Sequence, residues 1–222
     1  PICLPLLGLD LPWLLDALFV IVGLAAYFRV TRGVYSIYRA EQRKIDLTRF
    51  GRGSWAVVTG STDGIGKAFA EALAAQGLNI YMISRSPAKL KAFASELSEK
   101  FLVSVHSRAW DFTNCADKLE ELADLIDSDL ESKDVSILVN NVGISHLGHF
   151  HKNPSEAIKD ICSVNCLAMT CMTRLILPKL KAREQPSALI NVISLTSQVN
   201  LPGISIITLP PHSRLSSFPR PP

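Results

Sequence analysis

Apolar residues fall in three rhythms along this chain, and each predicts a different element. From Leu11 to Phe28 they run on with a single charge, Asp16, among them. Later they come as short blocks: Trp55-Ala56-Val57-Val58, the core of Asn79–Ser84, Val135-Ser136-Ile137-Leu138-Val139 and Ala188–Ile193. Blocks of that length predict strands buried on both faces, and Val103-Ser104-Val105-His106 predicts another that runs toward Ala109. Between them the spacing becomes helical, with Ala68, Phe69, Ala72 and Leu73 on one face, then Leu90, Phe93, Ala94 and Leu97, then Leu119, Leu122, Ile126 and Leu130. A longer helix is predicted from about Glu156 to Lys181. Strands that alternate with helices in this way predict an α/β fold, a Rossmann-like doubly wound parallel sheet that breaks off after its fifth strand.

The first rhythm reads as a transmembrane helix. Leu11 to Phe28 would rise about 27 Å against a hydrocarbon core of about 30 Å. A cleaved signal peptide is the main rival, but its basic leading segment is missing; a core helix is the other. Arg29, Arg32, Arg39, Arg43 and Lys44 follow directly. Positive charge stays in the cytosol, so the remainder of the chain should face that side. Residues 1–30 are thus assigned to a membrane anchor and 31–50 to a basic juxtamembrane linker on the anionic surface.

Behind the first strand stands TGSTDGIG, Thr59 to Gly66. Glycines at 60, 64 and 66 let backbone approach a pyrophosphate, and the amino end of the next helix then faces the anion. The second strand ends in Ser84-Arg85, where an acidic residue would have selected an unphosphorylated ribose. A guanidinium pairs with a 2′-phosphate, so NADP(H) is the expected cofactor. The plainer alternative is that Arg85 only precedes a helix started by Ser86 as cap and Pro87 at its first position.

TGSTDGIG, Asp111, Asn140-Asn141-Val142-Gly143, Asn165 and Ser194 follow the order of the short-chain dehydrogenase/reductases, which the chain resembles from about Arg49 to Leu201. The phrases WAVVTGSTDGIGKAFAEALA, GLNIYMISR, ILVNNVG and TRLILPKL are similar to the membrane-bound 3-oxoacyl-CoA reductase and 17-beta-hydroxysteroid dehydrogenase branch. The resemblance implies that Gly60, Ser61, Asp63, Gly64, Ile65 and Gly66 contact the dinucleotide, Arg85 its 2′-phosphate and Asp111 the adenine edge. Asn141 would line the cleft and help hold the central strands, Asn165 would fix a relay water, and Ser194 would hydrogen-bond a substrate carbonyl. It further implies a 3-oxoacyl-CoA substrate in fatty acid elongation, with a steroid ketone as the alternative. Location in the endoplasmic reticulum membrane and a homodimer are implied as well.

The family's catalytic tyrosine and lysine, counted on from Ser194, fall on Ile207 and Pro211. The chain's four tyrosines are Tyr27, Tyr35, Tyr38 and Tyr81, all upstream. A positioned acid contributes about 10² to 10⁴ in rate, so impaired turnover is expected, and a non-catalytic nucleotide- or partner-binding piece is the reading from another class. Residues 51–203 then form an incomplete NADP-binding domain. Residues 204–222, with five prolines and no acid, form a tail without a fold. A shift of reading frame before the tyrosine position would explain the break, and Pro1 in place of methionine suggests a fragment. The resemblance also implies a later long helix that packs beside the one at 156–181 and forms much of a dimer surface; this chain lacks its pattern, which leaves the family's homodimer in doubt here.

Composition adds exclusions. A net charge of +3 is too small to argue for nucleic acid. Five cysteines without a CxxC pair predict reduced thiols, and Cys162 and Cys166 read as packing rather than metal ligands. His146, His149 and His151 cluster after the fourth strand, in a solvated loop or a substrate loop; no metal site is expected.

Overall fold

The structure, a computed structural model, describes residues 3–4, 9–42, 47–147, 152–194, 204–205 and 216–217. The chain forms two compact units, Pro1–Asp46 and Leu47–Pro222. In the first, Cys3–Leu4 pairs antiparallel with Leu9–Asp10, and helix α1 spans Leu11–Gln42. It continues well past the expected end of the anchor. Nothing between Thr31 and Gln42 stops a helix, and local hydroxyls are absorbed within it: Thr31 Oγ1 donates to the Tyr27 carbonyl at 2.9 Å and Ser36 Oγ to that of Gly33 at 2.8 Å. The expected linker is therefore helical through Gln42, residues 43–46 lie outside the described ones, and Thr48–Phe50 is a 3₁₀ turn. By length and composition the stretch Leu15–Ser36, 0% buried, could cross a membrane.

The second unit is built on strands β1 Trp55–Thr59, β2 Asn79–Ser84, β3 Val105–Ala109, β4 Val135–Asn140 and β5 Ala188–Asn191. All neighbours among these are parallel, in the order β5-β4-β1-β2-β3. Their alternate residues feed two cores. Ala56, Val58, Ile80 and Met82 pack against α2 (Gly64–Ala74) and α3 (Pro87–Phe101) through Leu73, Leu90 and Phe93. Val57, Tyr81 and Ile83 face the other way, onto α4 (Leu119–Leu130) and α5 (Ser155–Lys181) through Leu122, Ile126, Met172 and Ile176. Burial on both faces is why these strands read as continuous apolar runs. The chain leaves β1 in one direction to β2 and returns on its other side with β4, so a crevice opens where the order reverses, beyond the carboxyl ends of both.

Several boundaries differ from the pattern. Helix α2 begins at Gly64, four residues ahead of the first apolar position of its face, Ala68, because Asp63 caps it. Strand β5 ends at Asn191, so Ser194 lies past it, although Val192 N still donates to the Asn140 carbonyl at 2.8 Å. Helix α5 is interrupted by a π-helical turn at Ser163–Leu167. Within the tail, Ser216–Ser217 joins the sheet antiparallel to β5 and Ile204–Ser205 pairs with His146–Leu147. The rest of the tail, Ile207 and Pro211 included, lies outside the described residues, as do His149 and His151.

Candidate dinucleotide site

The loop from Thr59 to α2 is shaped from within. Gly60 has φ +64°, and a Cβ there would stand 3.0 Å from both Asn141 Nδ2 and Val142 Cα. Its N–H donates to the Ile83 carbonyl at 2.8 Å and ties the loop to the end of β2. Gly66 has a different task from the one its place in the motif suggested: a Cβ there would collide with the Gly60 carbonyl oxygen and Asn141 Nδ2. It packs helix against loop and does not face the crevice. Gly64, at φ +49°, has open space around it at the start of α2. Asp63 Oδ1 accepts from the Gly64 N–H at 2.8 Å as the helix cap, and Oδ2 stands 3.5 Å from Lys89 Nζ.

Thr59 closes the other side. Its hydroxyl donates to the Val139 carbonyl at 3.3 Å and accepts the N–H groups of Asn141 and Val142 at 3.0 and 3.1 Å. Asn141 Nδ2 donates to the carbonyls of Thr59 and Gly60 at 3.0 and 3.2 Å. The loop after β4 is thereby fastened to the loop after β1. Between them lies a cleft of about 420 Å³ that Gly60, Asp63, Gly64, Arg85, Asp111 and Asn141 help to line. Arg85 is exposed at this cleft and has no hydrogen bond or ion pair among the described residues. Asp111 Oδ1 accepts from Thr113 N and Oγ1, each at 3.0 Å, capping a 3₁₀ turn and leaving Oδ2 for a ligand.

Other expected residues do not line the cleft. Ser61 is fully buried and its Oγ lacks a partner among the described residues, whereas Ile65 is 60% exposed on α2. Asn165, in the π turn, accepts the Ile144 N–H at Oδ1 (2.8 Å) and donates from Nδ2 to the Ile144 carbonyl (2.9 Å). Both ends of its amide thus hold backbone, though its neighbour Val164 reaches the cleft. Ser194 is exposed beyond β5 and is not among the lining residues. Thr59, Thr62 and Lys89 were missed. Thr62 pairs with Ser84 through their hydroxyls at 2.8 Å, a tertiary contact without a local signature. Lys89 shares the cleft with Arg85 and could have been found as the next cation along the chain.

No described residue lining the cleft is a tyrosine. Tyr81 donates to Asp129 at 2.6 Å inside the sheet–α4 interface; burial, then the carboxylate, push its phenol far above the ordinary range. Arg108 grips the same carboxylate through Nε and Nη2 at 2.7 and 2.5 Å. Burial raises the Asp129 pKa, but Arg108 and Tyr81 outweigh it and hold the carboxyl at about 2. Cys115 is pushed up to about 12, chiefly by burial, with Cys171 as a further cause, so it is an inert packing thiol.

A dinucleotide fits these residues. The cradle at Gly60 admits no side chain, the amino end of α2 opens on the cleft, and Arg85 is a cation with no ion pair among the described residues. Crevice and strand order together define a doubly wound, dinucleotide-binding α/β protein. Comparison with known proteins narrows that class. Residues 54–206 match the short chain dehydrogenase family, and the chain belongs to it. It is 42% identical over 158 residues to the very-long-chain 3-oxoacyl-CoA reductase of Bos taurus, which covers 69% of this chain and 49% of that protein. For the protein of the same description from Homo sapiens the identity is 40% over 160 residues, 70% of this chain and 49% of the other. The chain thus spans about half the length of these curated relatives. Among solved structures, L-sorbose reductase from Gluconobacter frateurii, complexed with NADPH and L-sorbose, superposes with a TM-score of 0.62 at 28% identity, over 69% of this chain and 57% of that one.

Proposed function

We propose that this chain carries the coenzyme-holding part of an NADP(H)-dependent ketoreductase for long-chain 3-oxoacyl-CoA, anchored in the endoplasmic reticulum membrane with its second unit toward the cytosol, and that its own turnover is impaired. The observation that carries the reading is Arg85, a guanidinium on the cleft with no ion pair among the described residues, beside a loop in which Gly60 leaves no room for a side chain. Bound there, the coenzyme supplies hydride to a ketone. The N–H groups at the start of α2 would meet its pyrophosphate, Arg85 its 2′-phosphate, and Asp111 Oδ2 the adenine amino group. Asn165 would order a relay water from its hold on Ile144, and Ser194 would donate to the carbonyl. The substrate class is supported by the description shared by the bovine and human relatives. The anchor is supported by the exposed apolar face of α1 and the arginines at its far end.

Impairment is supported by Ile207 and Pro211 at the positions where the family pattern calls for tyrosine and lysine, and by the confinement of Tyr81 to Asp129. The test is parallel measurement, on the full chain in detergent, of NADPH binding and of NADPH oxidation with a long-chain 3-oxoacyl-CoA and with a steroid ketone. NADPH should bind, with acyl-CoA turnover about 10² to 10⁴ below that of the human relative. Failure to bind NADPH, or turnover at the relative's rate, overturns this reading, and a preference for the steroid replaces the substrate class.

A further inference from the structure

We propose that Lys89 is the second cation of a 2′-phosphate clamp, an inference that rests on the NADP(H) reading above. A ribose 2′-phosphate carries about −1.5 to −2 charges near neutrality, so one guanidinium leaves it incompletely neutralised. Two cations line the cleft at the end of β2: Arg85 directly after the strand, and Lys89 from the first turns of α3, which Ser86 caps by accepting the Lys89 N–H at 3.4 Å. The cap fixes the Lys89 backbone beside Arg85, and the ammonium lies toward Asp63. With Oδ1 committed to the Gly64 N–H, Oδ2 of Asp63 stands 3.5 Å from Lys89 Nζ.

That ion pair is 63% exposed on the lysine and 85% on the aspartate, and such pairs contribute almost nothing to stability. An ammonium has three donors, so Lys89 can keep its aspartate and still donate to a phosphate oxygen, while the forked guanidinium of Arg85 takes two others. Of the two carboxylates among the described lining residues, Asp63 faces Lys89 and Asp111 is turned onto Thr113, so no described carboxylate compensates Arg85.

The experiment measures dissociation constants of NADPH, NADH, 2′,5′-ADP and 5′-AMP for the full chain in detergent, as the native protein and as K89Q, K89R and R85Q. The clamp requires K89Q to weaken NADPH and 2′,5′-ADP by roughly three- to tenfold, with NADH and 5′-AMP changed by less than about twofold. K89R should retain most of the preference for the phosphorylated ligands. The added-salt dependence of NADPH binding should be shallower in K89Q than in the native chain. An unchanged NADPH-to-NADH ratio in K89Q overturns the clamp and leaves the cofactor reading standing. A native chain that binds neither dinucleotide overturns both, and NADH binding serves throughout as the check that each variant is folded.

Discussion

Gly66 and Asp129 are single positions with large expected effects, for opposite reasons. At Gly66 the difficulty is space: an added methyl meets the Gly60 carbonyl oxygen, part of the backbone that forms the cradle. Gly66→Ala should therefore lower stability by about 1–3 kcal/mol and weaken NADPH together with it, read by urea unfolding and ligand titration. At Asp129 the difficulty is charge. Its carboxyl is 8% exposed and holds Arg108 and Tyr81, with His106 Nε2 at 3.4 Å and Lys133 on its backbone carbonyl. A carboxyl held at about 2 in the folded chain, against an ordinary value near 3.9, adds stability that is fully present above about pH 4 and is lost as pH falls toward 2. Asp129→Asn should cost roughly 2–4 kcal/mol at pH 7 and flatten the acid limb between pH 4 and 2, measured by unfolding across that range. An equally steep acid limb in the variant would assign that loss to other carboxylates.

At the scale of elements, the π turn in α5 and its bond to the segment after β4 behave as one device. Asn165→Ala removes two hydrogen bonds to Ile144, so unfolding should become easier by about 1–3 kcal/mol. NADPH affinity should fall as well, because Val142, Gly143 and Ile144 form one wall of the cleft. Unchanged affinity with reduced stability would separate the wall from the pocket. Much of the element order was legible: β1, β2 and β4 are buried on both faces, and Ser86 caps α3 as its Ser-Pro start indicates. What misled was local. The cap at Asp63 starts α2 ahead of its apolar face, α1 continues through polar residues, and the end of β5 depends on pairing with β4 that no neighbouring residue encodes. The site divides along the same line. Gly60, Arg85 and Asn141 are legible because they sit in contiguous motifs, whereas the bonds of Thr59 across the β1–β4 junction and the Tyr81–Arg108–Asp129 cluster are made only by folding.

Across the whole molecule, the two units should separate by function. The unit from Leu47 onward contains both apolar cores and every described residue lining the cleft, while the preceding one holds the exposed apolar helix. Deletion of residues 1–46 should abolish co-sedimentation with phospholipid vesicles and leave the NADPH dissociation constant within about twofold. Persistent vesicle binding after that deletion would move the membrane contact to the second unit. Thr59 has a consequence at this scale too. One hydroxyl uses its donor and both lone pairs between the end of β1 and the segment after β4, which ties this flank of the crevice together without a ligand. A coenzyme would then meet a berth already cut to size on that flank, and its docking would incur little ordering entropy there.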